Sequence, residues 1–426
     1  MTQIRARYAN DHHEPQRIAI ELMPPTAQIP ISSYEVSRRF AGRLALFYGM
    51  IFGLTGSYLP FFPVWLKAVG IEPTWIGLII AVPALTRFTL LPLITGLAER
   101  SQSLRGAMIV AALATFAGFA VLGTLQQPVA VLIVFALTAC AWTPLVPLTD
   151  GYALKGVVRY GLNYGPLRLW GSAAFVVGAL GCGLLADVIA APHLIWVIAA
   201  MAALGAVAGF GLQPLDAPRQ SETLPFRAGA LLRDRGFLAM IGAAALIQGS
   251  HAAYYTFGSI AWQSAGLDGA TIAGLWALGV IAEIVVFALS PRFTLSPVLM
   301  MVVGGLAAAL RWSITAQDPP LALLAGVQLM HGLSFGLTQV GTMTLMVRHV
   351  PSHVTASAQG YLTAAAGIVM CGASIGSGVI FARFGSGVYL GMAVMATLGA
   401  VVIWLARRGL DTDAAGGQPQ SSGSGG

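Results

Sequence analysis

Apolar runs of about 20 residues, separated by short polar connections, recur twelve times between Leu44 and the region of Leu405. Each is long enough to cross a hydrocarbon core of about 30 Å as a helix rising 1.5 Å per residue. Lipid offers the backbone no hydrogen bonds, so spanning segments must be helices or strands of a closed barrel. The alternating ten-residue pattern of a barrel is absent. The sequence therefore predicts an all-α polytopic membrane protein. Composition agrees: 57% of the 426 residues are hydrophobic and 9% are charged, against about 25% charged in a soluble domain.

The expected spans, one to twelve, are 42–66, 73–97, 105–125, 128–150, 165–186, 192–212, 237–262, 270–290, 297–316, 320–346, 356–382 and 386–406. Residues 1–40, polar and without a sustained period, are expected to form a disordered cytoplasmic tail. A stretch rich in proline and mixed charge, 213–236, reads as a cytoplasmic central loop. It divides the chain into an N-terminal six-helix bundle, 41–212, and a C-terminal one, 237–407. Residues 408–426 read as a tail whose Gly/Ser-rich end, Gln418 to Gly426, resembles an appended linker. Spans five and eleven occupy equivalent places in the two halves and are both glycine-dense. Span five carries Gly171, Gly178, Gly181 and Gly183, and span eleven carries Gly367, Gly372, Gly376 and Gly378, with Gly372 and Gly376 in GxxxG spacing for close helix packing.

A net charge of +7 does not mark a nucleic-acid binder here, because the basic residues form no arm or face with interleaved aromatics. They sort by loop instead. With the N-terminus inside, Arg38, Arg39, Arg43, Arg100, Arg105, Lys155, Arg159, Arg219, Arg227, Arg233, Arg235, Arg292, Arg348, Arg407 and Arg408 fall in inner loops, and Lys67 and Arg383 in outer ones. That asymmetry predicts two cytoplasmic termini in a bacterial-type inner membrane. No secretory leader is read in the polar N-terminal stretch. Cys140, Cys182 and Cys371 lie in separate spans and read as packing residues. There is no P-loop, HExxH or paired Cys, so neither enzyme chemistry, a metal nor a cofactor is expected.

Five ionisable residues lie inside or at the edges of the spans: Arg87, Asp150, Arg168, Glu283 and Arg311. A charge at mid-bilayer costs about 2.5–3.5 kcal/mol on insertion scales, so such residues mark wet cavities and transport pathways. Glu283, Arg311 and His331 fall in the middle or outer half of spans eight, nine and ten. Burial there opposes the charged carboxylate and a nearby Arg favours it, a balance that can change as a cavity opens and closes. This suits a proton-coupling site; for His331 a plain helix-to-helix hydrogen bond is the competing reading. Asp150 and Arg168 end span four and begin span five, where substrate contact, a gate ion pair, helix capping and snorkelling all remain open. Arg87 is too deep for snorkelling. Three Arg against two carboxylates, with His251 and His331 able to add positive character, favour an anionic substrate. Tyr48, Phe52, Tyr254 and Tyr255 are candidates for the cavity lining.

Short motifs narrow the class. Gly96-Leu97-Ala98-Glu99-Arg100, with Arg105 beyond, is similar to the major facilitator superfamily signature between helices two and three, though with Glu for Asp and without the usual glycine. Tyr164-Gly165-Pro166-Leu167-Arg168-Leu169-Trp170-Gly171-Ser172, Gly279-Val280-Ile281-Ala282-Glu283, Leu310-Arg311-Trp312, His331-Gly332-Leu333-Ser334-Phe335-Gly336 and Gln359-Gly360-Tyr361 resemble the phenylpropionate-permease-like branch, related to lactose permease. The resemblance covers about residues 41–406. It implies alternating access, a conformational gate loop at Glu99, Arg100 and Arg105, and proton-coupled import of a small organic solute, aromatic carboxylates being the best-known class. In lactose permease a Glu, an Arg and a His occupy the corresponding helices. Ser334 stands here where that protein carries its proton on a carboxylate, which leaves Glu283 as the favoured carrier. An acid–base pair that binds sugar there corresponds to Asp150 and Arg168. The expected partners are a small-molecule substrate, protons and the lipid bilayer, with the chain as a monomer. A proton-driven exporter of drugs or metabolites is the alternative, and a transport-dead sensor or a membrane enzyme are others.

Overall fold

The computed structural model describes residues 31–91, 93–94, 103–162, 164–215, 228–351 and 354–412, and among them there is no strand. Among the described residues nine helices are apolar and long enough to cross a membrane, and the longest of these, Ser357–Leu410, is two spans joined by a tight turn at Gly385–Gly387. Two shorter apolar helices, Pro73–Thr89 and Trp170–Ala186, bring the arrangement to what twelve spans require. The first helix, Ile31–Ala68, begins well before the apolar run it carries.

Helix ends follow ordinary rules. Pro73, Pro128 and Pro297 stand in first turns, where a missing N–H costs nothing. Asp234, Asp268 and Ser296 cap spans seven, eight and nine through their side-chain oxygens. Hydrogen bonds from Thr271, side chain first and backbone second, hold the Asp268 carboxyl below its ordinary value. The outer surface is apolar: Val110, Leu137, Val177, Val207 and Leu405 are all exposed, as lipid-facing residues must be.

Among the described residues, spans four, seven and ten are broken near their middles. Span four divides at Thr143–Pro144, span seven at Ser250–His251, and span ten runs from Leu321–Leu329 through a wide π-helical segment, Gly332–Leu337, into Thr338–His349. The breaks in spans seven and ten face each other, with the His251 and His331 rings 5.4 Å apart.

The halves meet through spans two and eleven and through spans five and eight. A Cβ on Gly183 would stand 2.5 Å from the Gly269 carbonyl oxygen, and one on Gly77 would stand 2.6 Å from that of Ser374. Lys67 Nζ donates to Ser264 Oγ at 2.7 Å, and Asp187 accepts from the Gly269 and Ala270 N–H groups at 2.6 and 3.0 Å. These contacts all gather at one end of the molecule, the Lys67 face. The expected GxxxG pair is not a contact: Gly372 and Gly376 both face open space. Gly367 and Gly378, three turns apart, form the approach to span two instead, touching Phe88 and the Pro73 carbonyl.

Candidate functional site

The C-terminal half buries a polar cluster at its centre. Arg311, fully enclosed in span nine, donates through Nη1 to His331 Nδ1 at 2.8 Å and through Nη2 to Gln328 Oε1 at 2.8 Å; Nη1 also reaches Ser334 Oγ at 3.4 Å. Its guanidinium lies against the Tyr254 and Trp312 rings, 4.7 and 4.4 Å from their centroids. Trp312 in turn donates to Ser250 Oγ at 3.0 Å, and Trp276 to Ser259 Oγ at 2.9 Å. A buried cation needs such bonds on both terminal nitrogens and such aromatic cover, although Arg311 Nε itself is buried without a partner.

The permanent donors of Arg311 set the direction of the bonds around it. His331 Nδ1 must accept, so its Nε2 carries the hydrogen and points at Glu283 Oε2, 3.7 Å away. His251 is fixed from the other side. The break in span seven sends the His251 N–H to the Gln248 carbonyl, which frees the Ile247 carbonyl; His251 Nδ1 then donates to both of those oxygens at 3.2 Å. His251 Nε2 faces Ser334 Oγ at 3.2 Å. The serine thus links His251 to Arg311, which holds His331 directly.

The close approach that permits this is made by glycine. A Cβ on Gly332 would stand 2.6 Å from the Ala282 carbonyl oxygen, so span ten lies against span eight one residue from both His331 and Glu283. The π-helical turn beginning there is a feature common at functional sites.

In the N-terminal half, Tyr48 donates to Asp150 Oδ1 at 2.6 Å, and Tyr58 sits in an aromatic cluster with Phe62, Phe135 and Trp142. Arg87 is exposed despite its depth in span two, and it interacts electrostatically with Tyr58 and with Tyr255 of the other half. Its guanidinium therefore stands in the gap between the halves. Tyr255 also interacts with Glu283 and Arg311, and Glu283 is 23% exposed. Arg87 and Glu283 thus both keep exposed surface at mid-depth, below the closed Lys67 face.

The structure gathers Glu283, Arg311, His331, His251, Tyr254 and Tyr255 in one cluster, with Arg87 across the gap. His251, Tyr254 and Tyr48 are buried, whereas Phe52 and Tyr255 are half-buried. Arg105 donates to the Phe210 carbonyl at 3.1 Å, near the opposite face. Glu99 and Arg100 lie outside the described residues, and Arg168 is placed only as a position near the start of the helix Tyr164–Ala186.

Sequence reading passed over Gln328 and Asp187. Gln328 had a signal: Gln328, His331, Ser334, Thr338 and Thr342 recur every three or four residues, a polar stripe on one face of an apolar span, and all are buried. Asp187 had none, since its partners lie 82 and 83 residues away.

Known proteins share this architecture. The model of the family described as "MFS_1 like family" matches residues 42–390. A probable 3-phenylpropionic acid transporter of Escherichia coli (strain K12) is 34% identical over 361 residues, covering 83% of this chain and 94% of that one. A maltose permease of Geobacillus stearothermophilus is 29% identical, covering 84% and 93%. Among solved structures, the nucleoside transporter NupG superposes with a TM-score of 0.75 at 17% identity, covering 87% of this chain and 99% of its own. A D-xylose-proton symporter does so with a TM-score of 0.67 at 13% identity, covering 87% and 97%. With a helical architecture that fits twelve spans, a buried polar cluster in its C-terminal half and a family match across most of its length, this chain belongs to the MFS_1 like family of major facilitator superfamily transporters, and it is not an enzyme.

Proposed function

We propose that this protein imports a small organic anion of the aromatic carboxylate class together with protons. The observation that carries the reading is the pairing of Glu283, which keeps exposed surface, with His331 Nε2 at 3.7 Å, backed by the enclosed Arg311. A carboxylate so placed is the one acidic group of the cluster able to exchange a proton with solvent, because Ser334 cannot ionise in its stead. The similarity to a probable 3-phenylpropionic acid transporter supports the substrate class. The superposition on a D-xylose-proton symporter shows the fold alone.

In this reading the Lys67 face is external, as the loop charges suggest, and the structure is the inward-open state. Substrate and proton enter when the Lys67–Ser264 and Asp187–Gly269 contacts part, and leave after they re-form. Tyr48 and Asp150 hold spans one and four together beside the cavity, and Arg105 with the Glu99–Arg100 loop serves the inner gate. The chain works as a monomer in an inner membrane with both termini cytoplasmic.

The test is uptake of labelled 3-phenylpropionate into proteoliposomes. Accumulation should follow an inward proton gradient and collapse with a protonophore. Glu283→Gln should lose accumulation yet keep counterflow. Uphill uptake by Glu283→Gln would falsify the coupling role, and substrate efflux driven by proton entry would establish the exporter instead.

A further inference from the structure

The two mid-membrane guanidinium groups whose surroundings are described differ in one respect that bears on the cargo. Arg311 has no solvent exposure, both terminal nitrogens are bonded, and Tyr254 and Trp312 cover it. A ligand reaches it only by dismantling the cluster. Arg87 is exposed in the gap, and it makes no hydrogen bond or ion pair among the described residues. A guanidinium left uncompensated in a cavity of reduced dielectric is a site for a carboxylate, which its planar fork can hold with two hydrogen bonds.

We propose that Arg87 anchors the substrate's carboxylate, and that Arg87 and Glu283, facing one another across Tyr255, couple that anion to the proton. The assignment rests on the proposed function. Tyr255 interacts with Arg87, Glu283, Arg311 and Tyr254, so the two groups share one compartment. The groups facing Glu283 include His331 on span ten at 3.7 Å and Tyr255 on span seven, with Arg311 on span nine behind the histidine. A second carboxylate bound on Arg87 then adds a negative charge beside Glu283, and like charges in one site resist joint ionisation. The conflict is removed when a proton from water adds to a Glu283 oxygen. The substrate stays anionic on Arg87, and one anion and one proton enter together. Without substrate the added negative charge is gone, and the Glu283 proton is free to leave to water.

Calorimetric titration of purified protein tests this, with 3-phenylpropionate and its neutral amide as probes and two buffers of different ionisation enthalpy to count protons. The wild type should bind the acid with uptake of about one proton. Arg87→Gln should weaken the acid about tenfold or more while leaving the amide within about twofold. Arg87→Lys should recover part of the loss, because an ammonium keeps the charge without the fork. Glu283→Gln should bind the acid with no proton uptake. Unchanged acid affinity in Arg87→Gln, or unchanged proton uptake in Glu283→Gln, overturns the proposal. Equal loss of acid and amide in both Arg87 variants also overturns it, because it marks a structural role. If the wild type binds no carboxylate, the proposed function falls with it; if the wild type accumulates the acid and Arg87→Gln does so equally, only the anchor assignment falls.

Discussion

The two halves share a fold but treat their charges in opposite ways. The C-terminal half encloses Arg311 and bonds it to His331, Gln328 and Ser334 under aromatic cover. The N-terminal half leaves Arg87 exposed and keeps its aromatics, Tyr58, Phe62, Phe135 and Trp142, packed on one another. An enclosed cation holds geometry and an open one meets ligands, so equivalent bundles can divide scaffold from contact. The breaks in spans seven and ten are part of the same difference, because they supply the free carbonyl and the widened turn on which the C-terminal cluster is built.

The sharpest test of that contrast is Arg311→Leu. It strands His331, Gln328 and Ser334 in a closed interior, and removing one partner from a buried charge network costs about 3–5 kcal/mol. Thermal unfolding in detergent should show a large loss that Arg311→Lys does not restore, whereas Arg87→Leu should unfold close to the wild type. Comparable losses for the two would erase the distinction. Tyr48→Phe asks whether the N-terminal half has a weaker scaffold of its own: deleting a hydroxyl bonded to a carboxylate costs about 1.5–2 kcal/mol, read as a smaller drop in the same assay. The seam between the halves should respond as an equilibrium. Asp187→Ala removes a cap worth about 1 kcal/mol at an exposed helix start, so the open population at the Lys67 face should rise about fivefold. Distances between spin labels on Val188 and Gln317 would report it, and an unchanged distribution would remove Asp187 from the latch. Ser334→Ala should have the smallest effect, a drop of about 1 kcal/mol in the thermal unfolding assay from losing the His251 and Arg311 contacts; an unchanged unfolding curve would show that the serine adds nothing to the cluster.

Much of the fold was legible because lipid permits so few solutions. Runs from Leu44 to Leu405 and the mid-run charges lead to spans, a transporter and a list of site residues. Glu283, Arg311 and His331 fall on adjacent spans at similar depth and do meet. The glycine reading shows where such reasoning fails. Gly372 and Gly376 have the favoured spacing yet face open space, and the working contacts use Gly367 and Gly378, because a motif states how closely a helix can be approached and not which face is. Asp187 and Gln328 show two kinds of miss: the first has remote partners, and the second lies in a stripe whose meaning depends on what stands opposite.

The sequence alone determined the solvent. With 57% hydrophobic and 9% charged residues in membrane-length runs, the chain can satisfy its backbone only as membrane helices, and any charge within them must have a reason to be there. Depth follows from counting residues along a helix. Facing does not, because it depends on how helices distant in sequence pack. Only the tertiary structure decided that Arg311 is enclosed and Arg87 open, that His331 turns Nε2 toward Glu283, and that Ser334 on one broken span meets His251 on another as well as Arg311.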